Sequence, residues 1–188
     1  LREKTGLGLM DCKKALVETE GDIEKAIEYL RKKGALKAAK REGRATSEGR
    51  IGSYIHMNGK IGVLLELNCE SDVVAKTDQF AELVHDICMH IAASSPRWIA
   101  VENVPADVLD KEKEIYMTQA KEAGKPDKML EKIAEGKLKK FFSEVCLIEQ
   151  PFVKDPDKSV GELIKDKIAQ LGENITVGRF ARFQLGQN

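Results

Sequence analysis

An α+β fold is what this sequence predicts: a small helical module, a basic tether, then a three-stranded antiparallel sheet packed with helices. Three observations predict it. Apolar residues recur at helical spacing through the first 36 positions. Two alternating runs flank Asn58-Gly59, the residue pair that most strongly favours a β-hairpin. Long helical stripes then separate that hairpin from a third β-like run, Ile175 to Leu185, rich in Val, Phe and Ile.

In the first module, Cys12, Ala15 and Leu16 lie on one helix, and Ile23, Ala26, Ile27 and Leu30 on the next after a Gly21-Asp22 break. Asp22 is the expected N-cap and Gly34 the expected stop. Such helices bury little, so residues 1–36 form a compact unit with outward apolar residues left over. From Arg31 to Arg50, eight basic residues stand against Glu42 and Glu48, with glycines at 34, 43 and 49. This reads as a solvated helical tether becoming a flexible linker, assigned to residues 37–50. The competing reading is a nucleic-acid arm releasing phosphate counterions, although no aromatic is interleaved for base stacking.

The core, residues 51–188, begins where the period changes to two. Ile51, Ser53, Ile55 and Met57 share one face; Ile61, Val63, Leu65 and Leu67 share one face of the next run. Asn58-Gly59 between them fits a type I′ turn. Thr77, Phe80, Val84, Ile87 and Ile91 form a helical stripe that Pro96 closes. Pro105 and Pro126 suit the first turns of two more helices, which make a helical hairpin over about residues 105–150. Leu130, Ala134, Leu138, Phe141, Val145 and Ile148 line one face of the second. Ser159-x-x-Glu162 reads as a capping box opening a last helix that Gly172 ends.

Composition narrows the function. The 188 residues carry 31 basic and 31 acidic side chains, without the net basic excess of a nucleic-acid binder. The four cysteines include no C-x-x-C pair, which removes zinc-ribbon and thioredoxin-type readings and fits core thiols in a reduced compartment. No apolar run approaches the roughly 20 residues of a membrane span. The chain opens at Leu1 without a Met, so a trimmed N-terminus is expected and a targeting peptide would be invisible.

Catalytic motifs are missing: Gly136-Lys137 lacks the upstream glycine of a P-loop, and no G-x-G-x-x-G, G-x-S-x-G or H-E-x-x-H occurs. His85 and Cys88 could share a metal, but nothing completes the ligand set, and packed or surface side chains are the plainer reading. His56 falls on a predicted strand, opposite the Ile51/Ser53/Ile55 face, where it either meets a partner or does nothing. In Asn68-Cys-Glu-Ser-Asp-Val-Val74, Asp72 is either a helix cap or part of a tip projecting into another protein.

Thr5-Gly-Leu-Gly-Leu-Met-Asp-Cys-Lys-Lys-Ala-Leu16, followed by Gly21-Asp-Ile-Glu-Lys-Ala26, and Glu66-Leu-Asn-Cys-Glu-Ser-Asp-Val-Val-Ala-Lys76 are two long signatures. With His90-Ile-Ala-Ala93, Gln150-Pro-Phe-Val153 and Gly172-Glu-Asn-Ile175, they resemble the elongation factor Ts family over essentially the whole chain. The resemblance implies a ubiquitin-associated-like three-helix N-terminal module and an α+β core with a helical hairpin. It implies a translation factor that binds elongation factor Tu with GDP, destabilises the magnesium/GDP site and promotes GDP release and GTP exchange. No bond chemistry, cofactor, metal, membrane or direct nucleic-acid contact goes with it, and the compartment is cytoplasmic, an organelle remaining open.

Position by position, Arg2, Leu9, Met10 and Lys13 match residues that dock on the partner's GTP-binding domain. His56 matches a histidine contacting another partner domain, and Asp72 and Val73 match an Asp-Phe pair that intrudes near the magnesium. Valine stands here where that family carries Phe. A single core copy, with Gly52-Ser-Tyr-Ile-His56 directly ahead of the tip, implies a homodimer through the sheet. Two readings from other classes stand beside this one. One is a ribosome- or RNA-associated protein using Arg31–Arg50; the other is an enzyme with an unrecognised carboxylate site.

Overall fold

The computed structural model describes residues 1–56 and 58–187, so Met57, expected on the Ile51 face, lies outside the described residues. The chain divides into two compact units, Leu1–Met89 with Glu162–Asn188, and His90–Gly161. The elements are α1 (Arg2–Thr5), α2 (Leu9–Glu18), α3 (Ile23–Ala39), β1 (Glu48–Ile55), β2 (Ile61–Cys69), α4 (Asp72–Ala75) and α5 (Asp78–Ser94). There follow α6 (Ala106–Glu122), α7 (Asp127–Val145), β3 (Pro151–Phe152), β4 (Asp155–Ser159), α8 (Val160–Leu171) and β5 (Ile175–Gln184). The α+β class holds: N-terminal helices, a three-stranded antiparallel sheet in the order β1-β2-β5, and the helix pair α6-α7.

Helices α1 to α3 close on a core of their own, Cys12, Ala15, Ala26 and Leu30, flanked by Leu1, Leu7, Leu16 and Tyr29. Asp22 caps α3 as expected, its Oδ1 accepting the Lys25 N–H at 3.0 Å. Gly34 does not stop the helix, which runs on to Ala39. It serves instead as a close approach: a Cβ there would lie 3.2 Å from Ala169 of α8. Gln170 of α8 also donates to the Thr5 carbonyl at 3.0 Å. The tether is tied down further along, where Thr46 and Thr176 hydroxyls meet at 2.7 Å and Arg41 and Arg44 reach Glu70.

The buried face of the sheet comes from Val63, Leu65, Leu67 and Cys69 of β2. A bulge opposite Glu66/Leu67 sets β5 in register, pairing Arg179 with Glu66 and Val177 with Leu67. Gly178 is the extra residue, and it keeps Val177 and Ile175 on the same face as Leu67 and Cys69. Helix α5 covers this face with Phe80, Leu83, Val84, Ile87 and Cys88. Gly52 marks where β1 comes closest to α5, since a Cβ there would collide with Val84 Cγ1. Thr77, expected within the stripe, caps instead: its Oγ1 accepts the Phe80 N–H at 3.2 Å.

Two expectations about β1 are corrected. Ile51 and Ile55 point away from α5 and are exposed, whereas Tyr54 takes the half-buried side. Alternation defines two faces without saying which one is covered, and Gly52 allows the close helix contact on its own face. The hairpin connection is also longer than a two-residue type I′ turn. His56 N–H pairs with the Ile61 carbonyl, so Lys60 lies in the connection along with Asn58 and Gly59, the latter at φ +67°.

In the second unit α6 and α7 form the expected hairpin through a turn containing Gly124, and Pro105 and Pro126 each immediately precede a helix. Val104, Phe141 and Cys146 are its buried centre, with Trp98, Tyr116, Leu138 and Val145 packed around them. Helix α7 ends at Val145, so Ile148 belongs to a following 3-10 turn rather than to the stripe. The β3-β4 ribbon has no counterpart in the sequence reading, for Pro151 and three aspartate or lysine residues make poor strand signals.

His90 is fully buried and its polar atoms are satisfied: Nδ1 accepts the Val153 N–H at 3.2 Å and Nε2 lies 2.9 Å from Gln150 Oε1. Gln150 is oriented by donating to the Ser94 and Glu144 carbonyls. This arrangement needs a neutral ring, and burial lowers the His90 pKa against a smaller opposing effect of the Gln150 bond. The unfolded chain therefore binds the extra proton, and stability present above about pH 6.5 is lost as pH falls. The unfolding free energy from urea titration is expected to drop between pH 7.5 and 5.5, the direction set by this group's lowered pKa. A His90→Gln chain should lack that portion of the drop; an identical pH slope in the two chains refutes the assignment.

Candidate functional site

Two clusters of exposed apolar and charged side chains stand out, with His56 apart from both. The first is on α2. Its inward side, Cys12 and Ala15, fills the small core, so the intervening positions are left facing out. Leu9 is 66% exposed and Met10 61%, with Val17 also outward. Gly8 begins the helix without a side-chain cap. Leu1, Arg2, Leu9, Met10, Lys13 and Leu16 line one open groove of about 760 Å³. The structure thus brings Arg2, Leu9, Met10 and Lys13 to a single, mostly apolar surface whose charged members are Arg2, Lys13 and Glu20.

The second cluster is the tip after β2. Ser71 is extended (φ −131°, ψ 154°) and its Oγ accepts the Val74 N–H, so the cap of α4 is Ser71, not Asp72. Asp72 occupies the first helical position, where its carboxylate pairs with Lys76 at 2.7 Å. The Lys76 ammonium holds the Asp72 carboxyl below its ordinary range. Val73 is 70% exposed, an apolar side chain with no core to enter. Because Asp72 does not cap, its exposed ion pair contributes little to the protein's own stability.

His56 lies at the far end of β2 from this tip. Its Nδ1 is 3.2 Å from the Tyr54 hydroxyl, and Tyr54 in turn meets His85 edge-on at 5.6 Å between ring centroids. His85 is an exposed aromatic neighbour of Tyr54, and Cys88 is a core thiol whose burial pushes its pKa up to about 11. Among the described residues no group of three or more His, Cys, Asp or Glu could hold a metal ion. A nine-residue strand separates His56 from the tip, roughly 30 Å at about 3.3 Å per residue. A single partner touching both must be broad or built of more than one domain.

Several residues around the tip escaped the sequence reading. Glu173 accepts both the N–H and the hydroxyl of Ser71, at 3.0 and 2.6 Å. Glu70 accepts the Asn174 N–H at 2.7 Å and faces Arg41 and Arg44. The Asn174 bond is the main cause holding the Glu70 carboxyl below its ordinary range, with Arg44 next among the stabilising partners. No local pattern announces a contact between positions a hundred residues apart. The only available signal was that Gly172-Glu-Asn-Ile175 stood out among the resemblances.

The family model described as "Elongation factor TS" matches residues 11–187. The protein named elongation factor Ts of Geobacter sulfurreducens is 58% identical over 187 residues, covering 100% of this chain and 87% of its own length. Its namesake from Fervidobacterium nodosum is 60% identical over 187 residues, covering 100% and 95%. That of Koribacter versatilis is 61% identical over 186 residues, covering 99% and 85%.

Proposed function

The chain belongs to the elongation factor Ts family, the nucleotide exchange factors of elongation factor Tu in translation elongation, and from that premise we infer how its residues divide the work. It is an exchange factor and not an enzyme that makes or breaks bonds. The α2 groove, through Arg2, Leu9, Met10 and Lys13, docks the GTP-binding domain of the partner. The module of residues 1–36 serves that docking, with 37–50 as its tether and 51–188 as the core. The Asp72–Val73 tip intrudes beside the magnesium and GDP, and His56 contacts a second partner domain.

The observation that carries this reading is Val73, exposed at the start of a four-residue helix whose anchoring is built into the sheet end. Exchange then follows from linkage: a factor that binds the nucleotide-free partner best weakens GDP binding by the factor by which GDP weakens its own. A thousandfold effect takes about 4 kcal/mol of coupling. The direct experiment is GDP release from elongation factor Tu with catalytic amounts of this chain. Release should accelerate without GTP hydrolysis, and no acceleration with a matched partner refutes the reading.

At the tip, Asp72→Ala should slow release while leaving thermal unfolding nearly unchanged, because Ser71 keeps the cap. Val73→Phe should change release too. The larger side chain speeds it if the partner pocket accepts a ring, and overpacking slows it if the pocket is shaped to valine. Stopped-flow release with both folded variants decides the matter; unchanged rates in both would leave the tip as a structural turn.

The outer face of the sheet supports a homodimer. Ile51 and Phe183 are 69% and 68% exposed, and Ile55 and Leu64 are exposed on the same face beside the Glu66–Arg179 pair. An isologous contact between two such faces would cover them. Light scattering at tens of micromolar, the order expected to populate a modest interface, should give twice the chain mass. Ile51→Lys should return it to one chain mass, and a monomeric parent chain refutes the dimer.

No helix among the described residues is long and apolar enough to cross a membrane, and the bacterial relatives favour a cytoplasmic setting. The RNA-binding alternative is weakened by Arg41 and Arg44, two of the tether's cations, being engaged by Glu70. Neither a cofactor nor direct nucleic-acid contact enters the proposed action.

A further inference from the structure

We propose that Glu70 and Glu173 are positioning residues for nucleotide exchange, a reciprocal pair of carboxylates that holds the Ser71–Asp72–Val73 tip in its projecting conformation. The proposal rests on the reading of Asp72–Val73 as the intruding element.

Strands β2 and β5 end their ladder at the pair Cys69↔Ile175. The next two positions continue the same antiparallel register through side chains. Glu70 accepts the Asn174 N–H, and Glu173 accepts the Ser71 N–H, so each strand end is held by a carboxylate from the other. Glu173 also takes the Ser71 hydroxyl with its second oxygen at 2.6 Å. One carboxylate thereby fixes both the backbone and the side chain of the residue that caps α4. Bonds of this kind, to an ionised acceptor, are stronger than neutral ones.

The tip needs this external hold. Helix α4 has four residues, too few to form on local energetics alone. Asp72 and Val73 are exposed, so neither anchors the turn by burial. Cys69 Sγ donates to the Ser71 carbonyl at 3.1 Å, and Ala75 is the one buried residue of the helix. The carboxylates lie beyond the last backbone pair. What they order is therefore the tip rather than the sheet, whose β2 core positions are already buried.

Glu70 adds a connection to the tether. Its other oxygen faces Arg44 at 3.4 Å, Arg41 lies 3.5 Å from the first, and the Asn174 side chain donates to the Arg44 carbonyl at 2.9 Å. The segment leading from the docking helices to the sheet thus ends on the carboxylate that flanks the tip. A partner that seats the N-terminal module meets a tip already ordered, and no further ordering is required at insertion.

The test measures GDP release from elongation factor Tu against the concentration of the full chain, for the parent, Glu173→Gln, Ser71→Ala, the double variant and Asp72→Ala, each checked by thermal unfolding. Glu173→Gln is expected to lower the maximal release rate about tenfold with the half-saturating concentration within about twofold, since misplacing a reacting element costs rate more than docking. A loss of stability alone would not divide the two parameters in this way while the protein stays folded. Ser71→Ala should act in the same direction, and the double variant should lose no more than the worse single one, as expected of residues on one route. Should Glu173→Gln fail to fold, Ser71→Ala carries the decision alone. If Asp72→Ala slows release while Glu173→Gln, or Ser71→Ala in its place, keeps the maximal rate, the tip reading stands and the positioning role is overturned. If none of these variants changes release, both are overturned together.

Discussion

A chain carrying Leu9→Asp together with Met10→Asp is expected to lose about a hundredfold or more of its affinity for elongation factor Tu while keeping its own fold. Both side chains are largely exposed and stand outside the small core of Cys12, Ala15, Ala26 and Leu30. Their replacement therefore removes nothing that holds the module together, and acidic residues suit the first turn of a helix. In a docked complex each would bury most of a large apolar side chain, worth about 1.5 to 3 kcal/mol. Two such losses, at about 1.4 kcal/mol per tenfold, reach a hundredfold before the cost of burying the new carboxylates is counted. Calorimetric titration with the nucleotide-free partner measures it, with unfolding monitored by circular dichroism. Raising the ionic strength should add only a modest further loss through the cations Arg2 and Lys13. Undiminished affinity in a folded double variant would remove the groove from the docking surface. Removal of the whole module should cut after Ala39, where α3 ends, since a cut at residue 36 would leave the helix's last turn behind.

Gly52→Val is expected to cost about 3 kcal/mol or more of stability, the upper range for overpacking a closed core. Gly52 pairs with Leu65 in the sheet and faces α5, where an added Cβ would run into Val84 Cγ1 and come within 3.3 Å of Cys88 Sγ. Val84 and Cys88 are themselves buried, so neither can swing away into solvent. Either β1 or α5 must move, and both belong to the same densely packed layer. For a chain of this size the unfolding midpoint should fall by roughly 6 to 12 °C. Adding Val84→Ala to Gly52→Val should recover part of the loss, because the cavity made by one substitution receives the methyls of the other. A midpoint unchanged by Gly52→Val, or no recovery in the pair, would refute the steric account.

Much of the site was legible in the residues. Asn68 to Val74 stood out as a turn between a strand and a helix, and the structure places a capped turn there. A module this small was expected to leave apolar residues outward, and Leu9 and Met10, which the resemblance picks out, are exposed. The two alternatives for Asp72, cap or projecting tip, show the limit of that reading, for the structure gives the cap to Ser71. Ser and Asp are both good N-caps, and adjacent positions differ only in where the chain turns into the helix. Glu173 could not be found from its neighbours, because its role depends on β5 pairing with β2 in one register, including the Gly178 bulge.

By itself the sequence determined the main helices, the three strands of the sheet and their order, though not the β3-β4 ribbon. The periods of 3.6 and 2, the Asn58-Gly59 pair, the Asp22 cap, and Pro96 and Gly172 at helix ends are local properties, set by backbone sterics and side-chain spacing within a few residues. The tertiary structure alone decided which side of β1 is covered, since Ile51 and Ile55 are as apolar as any core residue and only the Gly52 contact with α5 turns them outward. It also decided that Gly34 is a packing position rather than a stop, because Ala169 lies against it. And it decided that the tip is clamped, because the carboxylates of Glu70 and Glu173 find their donors only when two chain segments a hundred residues apart are brought together by the burial of the sheet between them.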